Sequence, residues 1–287
     1  MSTMSTVTAL HLLLDDTPTI APLALALELG LATLPATVQT LPRVDANVAR
    51  AQPDALVLVP VAEYAVLQDD YVIIPELACG GHHNAGIVLI GDRRLDEIDD
   101  PLVDLADVSR GTELLTRATL LKFYGMAASA WLRDGDTPPP FTGGGVDQRH
   151  TIEIREGGEA LHMLDAPGEA EVSDLGRSWF ILTGLPPVTH LLLAPKRLLD
   201  TPALTALVGA LPMALAATHE RRREIRRDLA DRYGVSRELL SDFYADQFLT
   251  LTGDAQKSLL ALFPAGAWGM DLPTVAQLHL APWAKRV

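Results

Sequence analysis

The stretch "ALVLVPVAEYAVL" (55–67) constrains this chain most. Its opening run is continuously apolar, with valine at alternate positions, and is too short for a core helix. A strand buried on both faces reads this way. A helix-compatible segment follows at once. The same couple recurs on either side. "VTALHLLL" (7–14) reads as a strand ending at Asp15 and Asp16, after which Thr17, Pro18 and Thr19 open a helix through "IAPLALALELG" that stops at Gly30. "PATVQTL" (35–41) is a second strand and "VDANVARAQ" (44–52) a short helix. "YVIIPELACG" (71–80) and "AGIVLIGD" (85–92) are further strands, and "LADVSRGTELLTRATLLKFYGM" (105–126) is a strand end, a turn and an amphipathic helix. This alternation predicts an α/β fold with a mainly parallel sheet.

A turn-rich loop without apolar period, "RDGDTPPPFTGGGVDQRH" (133–150), precedes a second strand-and-helix unit that runs to 195. From 196 to 263 the pattern is helical. It includes the charged run "HERRREIRRDLADRYG" (219–234), which reads as a solvated helix face. The expectation is two α/β lobes and a helical C-terminal portion. A formal charge of −14 argues against nucleic acid and anionic membrane as partners. A small anionic ligand stays open, because a local pocket can oppose the global field. The single cysteine, Cys79, makes no internal disulfide. "MSTMSTVTALHLLLDDTPT" has no basic n-region, and the longest apolar stretches meet Pro, Glu or His before the roughly 18 residues of a membrane span. A soluble, cytoplasmic protein is expected.

Three stretches carry candidate chemistry. "CGGHHNAG" (79–86) joins two strands and gathers Cys79, His82, His83 and Asn84. Adjacent histidines rarely reach one ion, and no second Cys/His pair stands at ligand spacing, so no metal is expected. A Cys79–His82 nucleophilic pair and a plain glycine turn with solvent-facing imidazoles are both open. So is a cleft wall, since open α/β sheets bind ligands beyond the carboxyl ends of their strands. A histidine there would serve as base or as partner for a carboxylate. "VSRGTELL" (108–115) places Ser109 as an N-cap with Thr112 three residues on, at a helix start whose free N–H groups suit an anion. Gly111 would admit a ligand closely. In "DDTPTIAP" (15–22), Thr17 and Thr19 would cap the first helix or donate to a carboxylate, while Asp15 or Asp16 as a base would repel an anion.

"VSDLGRSWFILTGLPPVTHLLLA" (172–194) supplies Asp174, Leu175, Gly176, Trp179, Thr183, Gly184, Leu185 and Pro186 in the pattern D-L-G-x-x-W-x-x-x-T-G-L-P. This resembles the signature of the chorismate dehydratase family of the futalosine route to menaquinone. "ALVLVPVAEYAVLQDDYVIIPEL" (55–77) and "VDLADVSRGTELLTRATLLKFY" (103–124) resemble two further family segments, in family order. The resemblance implies a type II periplasmic-binding-protein fold, two lobes joined by two crossing strands with a small carboxylate between them. It also implies a cofactor-free loss of water from chorismate, giving 3-[(1-carboxyvinyl)oxy]benzoate. Residues 1–88 with 190–287 would form one lobe and 89–189 the other.

On this resemblance Ser109, Arg110, Gly111 and Thr112 would hold one carboxylate, and Thr17 and Thr19 another group from the facing lobe. His82, His83 or Asn84 would assist proton transfer or orient the leaving hydroxyl. Departures from the family pattern are several. Thr19 stands for an asparagine, Val61 and Gly86 for serines, and Gly158 for an aspartate. Thr189 and His190 replace an aromatic and a small residue, adding polar groups at the cleft edge. The alternatives are a diverged paralogue with another substrate and a non-catalytic small-carboxylate binder.

Overall fold

The computed structural model describes residues 10–140 and 149–284. The start of the N-terminal stretch (1–9) and residues 141–148 of the turn-rich loop lie outside the described residues.

In chain order the elements are β1 (Leu10–Asp15), α1 (Ala21–Glu28), β2 (Ala36–Leu41), α2 (Ala46–Ala51), β3 (Ala55–Pro60), α3 (Val61–Leu67), β4 (Tyr71–Gly81), β5 (Ile87–Gly91), β6 (Leu102–Ala106), α4 (Arg110–Tyr124), β7 (Ala130–Arg133) and β8 (Thr151–Glu156). There follow α5 (Gly157–Asp165), β9 (Glu171–Asp174), α6 (Leu175–Thr183), β10 (Val188–Pro195), α7 (Pro202–Glu220), α8 (Arg222–Tyr233), α9 (Arg237–Asp246), β11 (Gln247–Phe248) and α10 (Gly253–Gly266). The strands form two sheets. The first has the order β11-β4-β10-β3-β1-β2, the second β7-β6-β8-β5-β9. The chain passes between the sheets twice, from β4 to β5 and from β9 through α6 to β10.

The fold is α/β, but the sheets are mixed rather than mainly parallel. β1 pairs in parallel with β2 and β3, and β6 with β7 and β8. β10 runs antiparallel to β3 and β4, and β5 antiparallel to β8 and β9. β5 and β10 are the strands that carry the chain into a new sheet. Each enters from the end where the parallel strands finish, so it runs against them.

β3 and β10 are buried throughout, and their alternation divides the core. Leu13, Val57, Val59, Leu191 and Leu193 face a cluster that extends through α4 and α6 to Ile87, Leu89, Ile152 and Ile154 of the second sheet. Leu12, Leu14, Leu56, Leu58 and Leu192 face the other way, against α1, α7, α8 and α9. α7 is long and apolar enough to cross a membrane by length and composition, though Pro212 interrupts it. It lays Leu204, Leu207, Leu211 and Ala214 into that second cluster.

α1 starts later than expected. Ile20 holds its N-cap position, and the Ile20 and Ala21 amides donate to the Thr17 carbonyl, so neither threonine hydroxyl caps the helix. The outer side of β4 is closed piecemeal. β11 reaches only Gly80 and Gly81. Farther along, Ala78 N–H donates to Leu249 O and Leu251 N–H to Pro75 O, while residues 279–281 exchange both backbone bonds with Ile73. Pro75, which has no N–H, sits where the β4–β10 register shifts.

Candidate functional site

The D-L-G-x-x-W segment ties the two crossings together. Asp174 caps α6 by accepting from Arg177 N–H, and the same carboxylate accepts from Ala85 N–H and Gly86 N–H in the other crossing, each at 3.0 Å. Gly176 is required there, because a Cβ would lie 2.4 Å from the Ala85 nitrogen. Trp179 is buried and donates from its indole to Ser258 Oγ of α10 at 2.9 Å. Thr183 Oγ1 accepts from Leu185 N–H, and Gly184 ends the helix at φ 70°.

Burial outweighs the amide donors and pushes the Asp174 carboxyl up to about 6. The unfolded chain ionises this group near the ordinary aspartate value, so the native state holds the proton to higher pH. Its contribution to stability is full below about 4 and is lost as pH rises through 6, by up to about 3 kcal/mol. Thermal melts between pH 4 and 7 should show that slope in the wild type and a flatter profile in Asp174→Asn. Equal slopes in both proteins would refute the assignment.

A cavity of about 560 Å3 opens between the sheets. It lies beyond the carboxyl ends of β1, β6 and β8 and the start of β10, where this kind of sheet places its ligands. Of the expected residues, Thr17, Thr19, Gly86, Ser109, Gly111, Thr112, Thr189 and His190 line it. Arg110 does not. Its guanidinium turns to the Asp271 carbonyl. Gly111 is also a packing contact, since a Cβ would stand 3.1 Å from Pro60 Cβ and 3.3 Å from Val61 N. Bulk there would press on the start of α3 as well as on a ligand.

Ser109 caps α4 by accepting from Thr112 N–H at 3.1 Å. The anion site expected at this helix start is filled from within the chain. Glu156, at the end of β8, accepts from Ser109 N–H at 2.7 Å, from Ser109 Oγ at 2.8 Å and from Thr112 Oγ1. Arg43 stands 3.0 Å from the same carboxylate. Among the described residues, every other cationic group lining the cavity is likewise committed. Arg155 lies beside Glu153 and Glu159, and His190 beside Asp15.

The His190–Asp15 pair is buried at the cleft floor. His190 Nε2 lies 2.9 Å from Asp15 Oδ2, and Asp15 Oδ1 accepts from Val44 N–H at 2.6 Å. Thr189 Oγ1 donates to the Cys79 carbonyl, so toward His190 Nδ1, 3.1 Å away, it acts as acceptor. That assigns a proton to Nδ1. One further proton then lies on the Nε2–Oδ2 contact, as an imidazolium–carboxylate pair or its neutral equivalent. Cys79 is buried, and burial with the Asp15 charge pushes its thiol well up. That environment disfavours the thiolate that a nucleophile needs.

His82, His83 and Asn84, expected to be catalytic, are not among the residues that line this cavity. Asp246 of α9 collects the loop. Its backbone carbonyl accepts from His82 N–H, and its carboxylate from the His83 and Asn84 amides, with His83 Nδ1 at 2.7 Å. His83 meets the Phe180 ring edge-on, and His82 lies against Phe248. Asn84 Oδ1 accepts from Gln247 Nε2, and Gln247 Oε1 accepts from Thr19 Oγ1. The knot is a docked turn. Among the described residues no group of three or more His, Cys, Asp or Glu could hold a metal ion. Glu156, Arg43 and Arg155 had no place among the sequence candidates. The one local sign was a glutamate at a strand end before Gly157, whose φ of 69° lets the chain turn into α5.

A family model described as menaquinone biosynthesis matches residues 12–267. No curated protein matches the sequence. Solved structures show a periplasmic-binding-protein-like fold. A protein of Archaeoglobus fulgidus is 13% identical, with 91% of this chain and 97% of that one covered and a TM-score of 0.64. A Candida albicans gene product described as having the generic periplasmic binding protein fold is 10% identical, with 92% of each chain covered and a TM-score of 0.58. The periplasmic aliphatic sulphonate binding protein of Escherichia coli is 14% identical, with 97% and 96% covered and a TM-score of 0.55.

Proposed function

Because the chain belongs to the menaquinone-biosynthesis family, we propose that it is a cofactor-independent lyase of that route, removing water from a small cyclic carboxylate related to chorismate. The buried His190–Asp15 pair carries this reading. A pair sharing one proton gives it to the departing hydroxyl, which leaves as water. The same pair takes back the proton lost from the ring carbon, so the protein ends as it began. Thr17 and Ser109 would orient the substrate from opposite sides of the cleft.

One observation favours a substrate less anionic than chorismate, as in a diverged paralogue. The cleft's cations all face carboxylates of the chain, and Glu156 stands where a ligand carboxylate would. The test is incubation of the purified protein with chorismate and with related ring acids bearing one carboxylate, followed by ultraviolet absorbance and mass spectrometry. Loss of one water from any of them, absent in His190→Ala, supports the lyase. Tight binding without turnover would make the protein a binder and overturn the proposal.

A further inference from the structure

A second cavity, of about 450 Å3, opens where α7, α8 and α9 meet the start of α1. Its walls are apolar, with Leu215, Ile225 and Leu249 facing inward. Its charged groups are all of one kind. Arg222 and Arg226 of α8 line it, with the His219 imidazole beside them, and among the described residues no carboxylate does.

The two arginines differ from those of the main cleft. Arg222 donates to the His219 carbonyl and Arg226 to Ser241 Oγ, and neither forms an ion pair with a carboxylate among the described residues. Cations that have only neutral partners beside an apolar cavity leave charge-assisted bonds to be made. The charged run 219–234, a solvated face by its sequence, thus borders this open cavity with an exposed Arg222 and a half-buried Arg226.

We propose that this cavity binds a small amphipathic anion, its hydrocarbon body against Leu215, Ile225 and Leu249 and its acidic head between Arg222 and Arg226. The size suits a ligand of a few hundred cubic ångströms. Charge complementarity selects an anion, and the apolar walls select a chain or ring over a bare inorganic ion. Thr19 borders both cavities, and its hydroxyl bond to Gln247 lies in the wall between them.

Calorimetry on the full chain tests this with octanoate and decanoate, with decanol as the neutral probe, decylamine as the cationic one, and inorganic phosphate as the bare anion. Saturable binding of decanoate, tighter than octanoate and at least about tenfold tighter than decanol or decylamine, is the expected result. The double variant Arg222→Ala/Arg226→Ala should lose about tenfold or more in decanoate affinity. Ala245→Trp, which fills the cavity from α9, should abolish binding. Arg223→Ala, on the same helix but outside the cavity lining, should leave it unchanged. Thermal melts establish that each variant is folded. Failure of decanoate to bind would overturn the proposal, as would equal binding of decanol. Unchanged affinity in both cavity variants, or loss of binding in Arg223→Ala alone, would do the same.

Discussion

Replacing Glu156 with alanine is expected to raise the affinity of the main cleft for small carboxylates by roughly ten- to a hundredfold. The substitution frees the Ser109 amide, the Ser109 and Thr112 hydroxyls and the Arg43 guanidinium together, all now satisfied by one side chain. These groups surround the start of a helix of 15 residues, so the helix dipole adds to their pull on an anion. Stability should fall by about 1–2 kcal/mol, because the donors lose their acceptor but regain water. Glu156→Gln should fall between wild type and alanine, since its amide keeps one acceptor but turns an N–H toward a donor. Titration with acetate and with chorismate reads the effect directly. An affinity unchanged in the alanine variant would mean that Glu156 only stitches α4 to β8 and competes with nothing.

The largest loss of stability is expected at the cleft floor. Asp15→Ala leaves a charged or protonated His190 without its partner and the Val44 amide without its acceptor. Breaking one side of a buried pair typically costs about 3–5 kcal/mol. That is a large share of a domain's total stability. His190→Gln should cost less, because its amide can still reach both Asp15 and Thr189. Denaturant midpoints for the two single variants and their combination would show coupling, the double change costing clearly less than the sum. Additive losses would show that the two side chains act separately. If the pair also moves the protons of the reaction, turnover should fall by about a hundredfold or more even in the variant that remains well folded.

Local patterns in the sequence proved more legible than distant meetings. β3 was readable because a strand buried on both faces must be continuously apolar, and α4 because Ser109 and Thr112 stand at capping distance. The D-L-G-x-x-W run marked the family, but its work was hidden. Asp174 and Gly176 serve amides that lie some 90 residues earlier in the chain. The histidine-rich knot has its partners equally far away. Its residue types suggested chemistry, while Asp246, which captures it, is 163 residues away from His83. Glu156 went unnoticed because nothing beside it in sequence says that it will meet Ser109, 47 residues back. Periodicity and capping are set within a few residues of chain. Which carboxylate meets which donor is set by how two sheets are placed, and no short window contains that.

The patchwork along the outer side of β4 has a consequence for chain ends. An 11-residue strand that only two strand residues cover would otherwise present a row of free amides and carbonyls to any passing polypeptide. The segment around Leu280 and the turn at 249–251 blunt that row, and Pro75 interrupts it. Removing residues after Met270 would therefore bare Ile73 and also take Val275, Leu278, Leu280 and Ala281 out of the core. Such a shortened protein would lose solubility, self-associating along the bared edge.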